Sequence, residues 1–314
     1  MHKEGSALDF LENEKQKYPQ FETPYTEFSG LYKRRLWHPL TESLLAFVFA
    51  QGSFITSSSN LIDLYFNFIQ GIENELNPYS LARIVTRISK QFQDLLQGLS
   101  FMQDRVMTLL QISNEAGDNK SQAKIKAKTK DNANLITKIA TKNQQETLQS
   151  HLSILKSNGR MDTNILSAYV LHQLEIAHIY LIGDLPQKCF EILEFLSSQI
   201  LFKLENVSAV YSEYYKICVQ YYKVMKKADE YLRHAMYFLQ YTDWTVANTI
   251  LSTEKLMLAN DIALAALLST KCYNFSAIVT HPLMRVLTHD TDNERQYGWL
   301  FHTLNCFHQG DLIE

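Results

Sequence analysis

The chain has 314 residues, of which 46% are hydrophobic and 20% charged, and its formal net charge at pH 7 is −3. This length can hold two ordinary domains or one elongated array of repeats. The small net charge excludes a strong overall field that would select nucleic acid or an anionic membrane, so partners have to be inferred from local patterns. Only 10 Gly and 6 Pro residues are present, which indicates few turns and favours long helices.

Apolar residues recur at spacings of three and four along most of the chain, which predicts an all-α fold. The N-terminal stretch lacks a basic start followed by an apolar run, so we expect neither a signal peptide nor a membrane span. The four cysteines stand far apart and form no CxxC pattern. They indicate a reducing compartment rather than a disulfide framework or a zinc knuckle.

The first informative stretch is "KRRLWHP", at residues 33–39. Leu31 and Leu36 complete the apolar face of one predicted helix, and Trp37 begins the apolar face of the next. Pro39 falls in a first turn, where its missing N–H costs little, and it disfavours a helical conformation at His38. The stretch therefore predicts a helix junction anchored by Trp37, with a basic corner that is a candidate docking patch: Lys33, Arg34 and Arg35.

Three further pairs of residues mark helix ends. Asn77-Pro78 and Asp162-Thr163 each combine a capping side chain with the start of an apolar pattern. At Gly183-Asp184 we expect Gly183 to adopt the left-handed conformation that ends a helix, and Asp184 to cap the next one. This turn resembles those of tetratricopeptide-type repeats, whose helix pairs must stack into a solenoid to bury their apolar faces.

The segment 113–149 breaks this pattern. It is polar, has no aromatic residue, and carries seven lysines between Lys120 and Lys142. It cannot bury enough apolar surface to offset its ordering entropy, so we predict a mobile insertion. Lysine runs also contact nucleic acid, but the absence of aromatic side chains for base stacking argues against specific binding.

Tyrosines are concentrated between residues 211 and 241. Their spacing is typical of side chains that pack helix against helix, although an exposed aromatic strip that docks a partner has a similar pattern. From this group we take three candidate interface residues: Tyr221, Tyr222 and Tyr231.

Catalytic and metal motifs give no positive signal. His302 and Cys306 are four residues apart and would share one helical face, but two side chains cannot complete a tetrahedral zinc site. No HExxH, Gly-rich phosphate loop or GxSxG motif occurs. We therefore predict no catalytic residue, no metal and no cofactor, and we expect the chain not to be an enzyme.

Four stretches together resemble one family. They are "LYKRRLWHPLTESLLAF", "LIDLYFNFIQGIENELNPYSLARIV", "YYKVMKKADEYLRHAMYFLQYTD" and "YNFSAIVTHPLMRVL", the last continued by "WLFHTLNCFHQGDL". In order and spacing they resemble the PCI-domain lid subunits of the 26S proteasome. The resemblance implies a solenoid of antiparallel helix pairs that leads into the helical part of a PCI module, a domain that continues into a winged helix.

On this resemblance we expect four segments. They are N-terminal helical repeats (1–112), the lysine-rich mobile insertion (113–149), further helical repeats (150–241) and the helical start of a PCI domain (242–314). We also expect the winged helix to be missing, because the sequence ends at Glu314.

The resemblance also implies a function. The chain would be a non-catalytic scaffold in the cytoplasm and nucleus, part of a hetero-oligomer with PCI-type and MPN-type lid subunits. It would also contact the ubiquitin receptor that has a von Willebrand A domain, and it would bind no small-molecule substrate, specific nucleic acid or membrane. The alternatives are a PCI scaffold of the COP9 signalosome or of a translation initiation factor complex, a nucleic-acid binder that uses the lysine run, and an enzyme that uses His302 and Cys306.

Overall fold

A computed structural model describes residues 2–50, 60–117, 144–157, 162–204, 207–242, 252–288 and 291–311. Every regular element among these residues is an α-helix or a short 3₁₀ helix, so the all-α prediction is confirmed. The chain divides into two compact units: unit 1 is Met1–Glu205 and unit 2 is Asn206–Glu314. The segment boundaries at 113, 150 and 242 remain predictions.

The described part of unit 1 contains nine α-helices and four 3₁₀ turns. The helices are α1 (His2–Lys17), α2 (Glu22–Lys33), α3 (Trp37–Phe49), α4 (Asn60–Asn67), α5 (Pro78–Ser89), α6 (Leu95–Gly117), α7 (Gln144–Ser157), α8 (Thr163–Ile182) and α9 (Pro186–Gln199), and the turns are Pro19–Phe21, Ile69–Gly71, Glu73–Glu75 and Leu201–Lys203. The ends of the predicted insertion thus belong to α6 and α7, and residues 118–143 lie outside the described residues.

Two helix starts in unit 1 were read correctly from their capping residues. The Asn77 side chain accepts hydrogen bonds from the backbone N–H groups of Tyr79 (2.9 Å) and Ser80 (3.3 Å). The Asp162 side chain accepts one from the N–H of Asn164 at 2.9 Å. Each cap satisfies a backbone donor that the first helical turn leaves without an intrahelical partner.

Helix α8 is the core of unit 1. It packs against α5, α6 and α9, and an uninterrupted run from Leu166 to Ala177 is buried. By length and composition alone α8 could also cross a membrane, but 72% of its most apolar 18-residue window is buried inside the protein. A helix that neighbours cover on several sides is apolar around its circumference, and packing therefore accounts for its composition.

Buried polar groups connect α8 to its neighbours. The Glu175 carboxylate accepts a hydrogen bond of 3.0 Å from the Ser89 hydroxyl of α5 and lies 3.8 Å from the ammonium group of Lys90. His178 lies 3.8 Å from the same carboxylate. Burial by itself raises the pKa of a carboxyl group, but these partners lower the pKa of Glu175 below its ordinary value,.

A second buried polar cluster joins α4, α6 and the 3₁₀ turn Glu73–Glu75. The guanidinium of Arg105 donates to both carboxylate oxygens of Glu73, at 2.8 and 3.0 Å, and also contacts the hydroxyl of Tyr65. Tyr65 is fully buried and donates to Glu73. Loss of Arg105 or Glu73 would leave the other's charge uncompensated in a largely buried position, so the cluster restricts the packing of these three elements.

The described part of unit 2 contains five α-helices and one 3₁₀ helix. The α-helices are α10 (Ser208–Val224), α11 (Ala228–Tyr241), α12 (Ser252–Leu268), α13 (Ser276–Val279) and α14 (Thr291–Gln309), and the 3₁₀ helix is Pro282–Leu287. Helix α12 contacts α11, α14 and the 3₁₀ helix. Their shared core contains, among other side chains, Phe238, Ile262, Met284 and Leu300.

Three helix-to-helix turns, α2–α3, α8–α9 and α10–α11, have the same conformation. One residue in each has a positive φ: Arg35 (54°), Asp184 (57°) and Lys226 (55°). The N–H of the residue after it donates to a carbonyl five positions back, at 3.1, 2.9 and 3.1 Å respectively. This is the Schellman arrangement of a helix C-terminus. It reverses the chain within a few residues, and the next helix packs against the one before it in all three cases.

The turn at Gly183-Asp184 corrects the sequence prediction. Gly183 has φ −77°, and Asp184 is the left-handed residue instead. Helix α9 begins with Leu185 at its N-cap position and has no side-chain cap, so Asp184 does not cap it. The prediction of the left-handed residue was wrong by one position. Asp also tolerates the left-handed conformation that Gly favours, so residue spacing alone cannot decide which of two adjacent residues adopts it.

The left-handed residue of the α10–α11 turn allows a matched stability test. We expect Lys226→Gly to stabilise the protein by about 0.5–1 kcal/mol, because glycine adopts a positive φ without steric cost. The neighbouring Lys227 has φ −101°, so Lys227→Gly should destabilise slightly or have no effect. Urea titrations of both variants measure the difference, and equal effects of the two substitutions would contradict the assignment.

Buried His172 should make unit 1 sensitive to acid. Burial, with a contribution from the positive charge of Arg105, lowers the pKa of His172 to about 3, whereas an unfolded histidine titrates near 6.5. Below about pH 6.5 the unfolded chain therefore binds a proton at His172 that the folded chain does not bind. The free energy of unfolding should fall as the pH drops through this range. We expect His172→Leu to reduce this slope between pH 6 and 5 by up to about 1.4 kcal/mol per pH unit. Urea titrations across this pH range measure the free energy of unfolding. The same dependence on pH for the wild-type protein and for His172→Leu would contradict the prediction.

Candidate protein-interaction surfaces

The basic corner lies at the α2–α3 turn. Lys33 ends α2, Arg34 follows it, and Arg35 is the left-handed residue of the turn. All three side chains are exposed, because a turn that reverses the chain directs these positions away from the two helices it joins. The corner thus presents three consecutive cations to solvent, and its role in docking remains a prediction.

The structure agrees with the sequence prediction for Trp37 but not for His38. Helix α3 begins at Trp37, so His38 is helical and Pro39 occupies the first turn two positions later. The expectation that Pro39 keeps His38 out of the helix was wrong, because a first-turn proline needs no N–H partner and the restriction it places on the preceding residue is only a preference. Trp37 is half-buried and packs edge-on against Tyr32, with ring centroids 5.9 Å apart.

Two of the three candidate tyrosines lie inside unit 2. Tyr221 and Tyr231 are 6% and 4% exposed, and both belong to the buried core of this unit. Their side chains are therefore not offered to a partner on the surface of this chain, and packing explains them. Tyr222 is only partly buried and packs against His234, with ring centroids 4.7 Å apart.

A ladder of four stacked tyrosine rings runs along the α10–α11 pair beside Tyr222. The rings alternate between the two helices, and successive centroids are separated by 5.1, 5.6 and 5.0 Å with interplanar angles of 28° or less. In order, the tyrosine ladder consists of Tyr211, Tyr241, Tyr215 and Tyr237. Tyr237 is 42% exposed and the other three are partly buried.

The tyrosine ladder can bind a protein surface but offers no reactive group. Burial, with added repulsion from neighbouring tyrosines, raises the pKa of Tyr215 to about 12, so its hydroxyl stays protonated at neutral pH. Stacking covers the ring faces and leaves ring edges and hydroxyl groups for contact. Rigid aromatic groups with a polar tip are enriched at protein interfaces because they bury large area at low entropic cost.

No group of three or more His, Cys, Asp or Glu residues in the described part of the chain could hold a metal ion. His302 and Cys306 both lie on α14, exposed and partly buried respectively. Burial raises the pKa of the Cys189 thiol to about 12, which disfavours the reactive thiolate,.

These observations define a class of protein. Antiparallel helix pairs with repeated turns, buried polar clusters that fix their packing, and surface groups suited to contact are typical of helical-repeat proteins that bind other proteins. The family described as PSD13 N-terminal repeats matches residues 24–169 and 121–304 of this chain. The two matches together cover most of the chain, which belongs to this family.

Curated relatives agree with this family. Over 309 residues the chain is 27% identical to the 26S proteasome non-ATPase regulatory subunit 13 homolog B of Arabidopsis thaliana, a match that covers 98% of this chain and 65% of the relative. It is 22% identical to subunit 13 of Dictyostelium discoideum, over 97% of this chain and 63% of the relative. It is 23% identical to the regulatory subunit RPN9 of Saccharomyces cerevisiae, over 94% and 62%. The resemblance seen in the sequence is confirmed, and the chain spans slightly less than two thirds of the length of these relatives.

The buried and exposed tyrosines should differ in their effect on stability. Tyr231→Ala removes a buried ring from the core of unit 2 and should cost about 3 kcal/mol. Tyr237→Ala removes a ring that is 42% exposed, and it should cost about 1 kcal/mol or less. Guanidinium titrations followed by circular dichroism compare the two variants. A Tyr237→Ala loss as large as that of Tyr231→Ala would show that the tyrosine ladder serves stability rather than contact.

Proposed function

We propose that this protein is a non-catalytic scaffold subunit of the lid of the 26S proteasome regulatory particle. It supports lid assembly, and through it ubiquitin-dependent degradation, by holding partner proteins in place. The observation that carries the proposal is the family match from residue 24 to residue 304, together with relatives named as proteasome regulatory subunits. The stacked helices of both units are consistent with such a role.

The proposed partners are the PCI-type and MPN-type subunits of the lid and the ubiquitin receptor with a von Willebrand A domain. The assembly is a hetero-oligomer in the cytoplasm and nucleus. Two surfaces support contacts of this kind: the basic corner of Lys33, Arg34 and Arg35, and the tyrosine ladder with Tyr222 beside it. The first adds charge complementarity, which raises association rates, and the second adds aromatic contact area.

Affinity purification tests the proposal. Tagged chain expressed in its own cells should recover lid subunits in near-stoichiometric amounts, measured by quantitative mass spectrometry. Recovery of signalosome subunits or initiation factors without lid subunits would overturn the assignment in favour of another PCI complex. Recovery of RNA alone, lost when the lysines from Lys120 to Lys142 are replaced by Gln, would indicate nucleic-acid binding instead.

Surface variants refine this experiment. Lys33→Glu and Tyr237→Ser should each reduce recovery of a subset of lid subunits, because they alter the two exposed surfaces without removing a buried side chain. Arg295→Glu, an exposed charge reversal on α14, is the matched control and should leave recovery unchanged. Equal recovery with all three variants would place the contacts elsewhere on the chain.

A further inference from the structure

Helix α12 carries a stripe of exposed apolar side chains. Met257, Leu264 and Leu268 are 66%, 36% and 72% exposed, and their separations of seven and four residues place them on one face of the helix. Asp261 lies on the same face between Met257 and Leu264, and it forms an ion pair with Lys223. The stripe is about 17 Å long, at 1.5 Å per residue. The opposite face of α12, which includes Ile262 and Ala266, is buried in the core of unit 2.

The α10–α11 turn lies next to the C-terminal end of this stripe. The Asp229 carboxylate, at the start of α11, accepts hydrogen bonds from the Ser269 hydroxyl (2.6 Å) and from the backbone N–H groups of Thr270 (2.9 Å) and Lys271 (3.3 Å). These bonds hold the start of α11 against the end of α12. The turn therefore places two more exposed apolar side chains, Val224 (51%) and Met225 (38%), at the same end of unit 2.

Exposed cations surround these apolar groups. Lys226 is the left-handed residue of the turn, Lys227 follows it, and Lys271 follows the end of α12; all three are exposed. The nearby carboxylates are engaged by other groups: Asp229 by the bonds given above, Asp261 by an ion pair with Lys223, and Glu230 by an ion pair with Arg233. The surface thus combines an apolar stripe with a net positive charge at one end. We call it the α12 stripe.

We propose that the α12 stripe docks an acidic amphipathic helix of a partner protein. The three apolar groups are spread over three helical turns and fit anchors of the same seven- and four-residue spacing on a helix laid along them. The lysines at its end select acidic residues beside those anchors, because opposite charges steer the encounter and like charges are rejected. This surface is separate from the basic corner and the tyrosine ladder, and the inference does not depend on which complex the protein joins.

A synthetic peptide tests the proposal. The probe is a fluorescein-labelled helix of roughly 18 residues, or five turns, with Leu at three- and four-residue spacings and Glu at the flanking positions. We expect it to bind the full chain in a fluorescence anisotropy titration, with affinity that falls as salt is added. Binding should weaken about tenfold for Lys226→Glu/Lys227→Glu and similarly for Leu268→Ser. Thermal unfolding followed by circular dichroism verifies that each variant is folded.

The control makes the same change of charge at exposed positions outside the three surfaces described above. Lys156→Glu/Arg295→Glu replaces two exposed cations, on α7 and α14, and should leave peptide binding unchanged. Equal weakening by both double variants would reduce the effect to overall charge and overturn the proposal. Equal binding of a peptide with Lys in place of Glu, or no binding of either peptide, would also overturn it. Binding to phosphatidylserine vesicles without binding to the acidic peptide would assign the α12 stripe to a membrane surface instead.

Discussion

Three antiparallel helix pairs, two in unit 1 and one in unit 2, depend on one backbone constraint, a single residue with positive φ at the end of a helix. At Arg35, Asp184 and Lys226 this residue lets two backbone N–H groups reach carbonyls of the preceding turn. The following helix then starts within two residues and lies alongside the first. In all three pairs the fifth residue after the turn is buried: Leu40, Cys189 and Tyr231. None of the three left-handed residues is glycine, so tertiary packing has to offset the conformational cost of each turn.

The same constraint positions the candidate surfaces. In each turn the fifth residue after the left-handed one is buried, and the residues at the apex of the turn are exposed. In two of the three turns these exposed residues are cations. At the α2–α3 turn they form the basic corner, and at the α10–α11 turn they form the charged end of the α12 stripe. Two clusters of exposed cations thus lie where helices reverse, while the tyrosine ladder and the α12 stripe lie on helix faces.

Buried polar groups provide specificity that apolar packing alone does not. Arg105, Glu73 and Tyr65 bond to one another across three elements, and Glu175 accepts a hydrogen bond from Ser89 between α8 and α5. A shifted packing of α8 would leave the Glu175 carboxylate without its partners, and a shifted packing of α4 against α6 would separate Arg105 from Glu73 and Tyr65, each at a cost of several kcal/mol. These bonds favour one arrangement of the helices of unit 1 over shifted alternatives.

The sequence by itself determined the helical class, the caps at Asn77 and Asp162, the junction at Trp37 and the family. These features follow from local periodicity, from side chains that bond to nearby backbone, and from collinear stretches of similar sequence. Tertiary structure alone decided which tyrosines are buried, since Tyr221 and Tyr222 are adjacent and only the packing of neighbouring helices separates a core position from a surface one. Tertiary structure also decided that Asp184 rather than Gly183 is left-handed. It alone placed the α10–α11 turn beside the end of α12, because contacts between residues some 40 positions apart leave no local signal in the sequence.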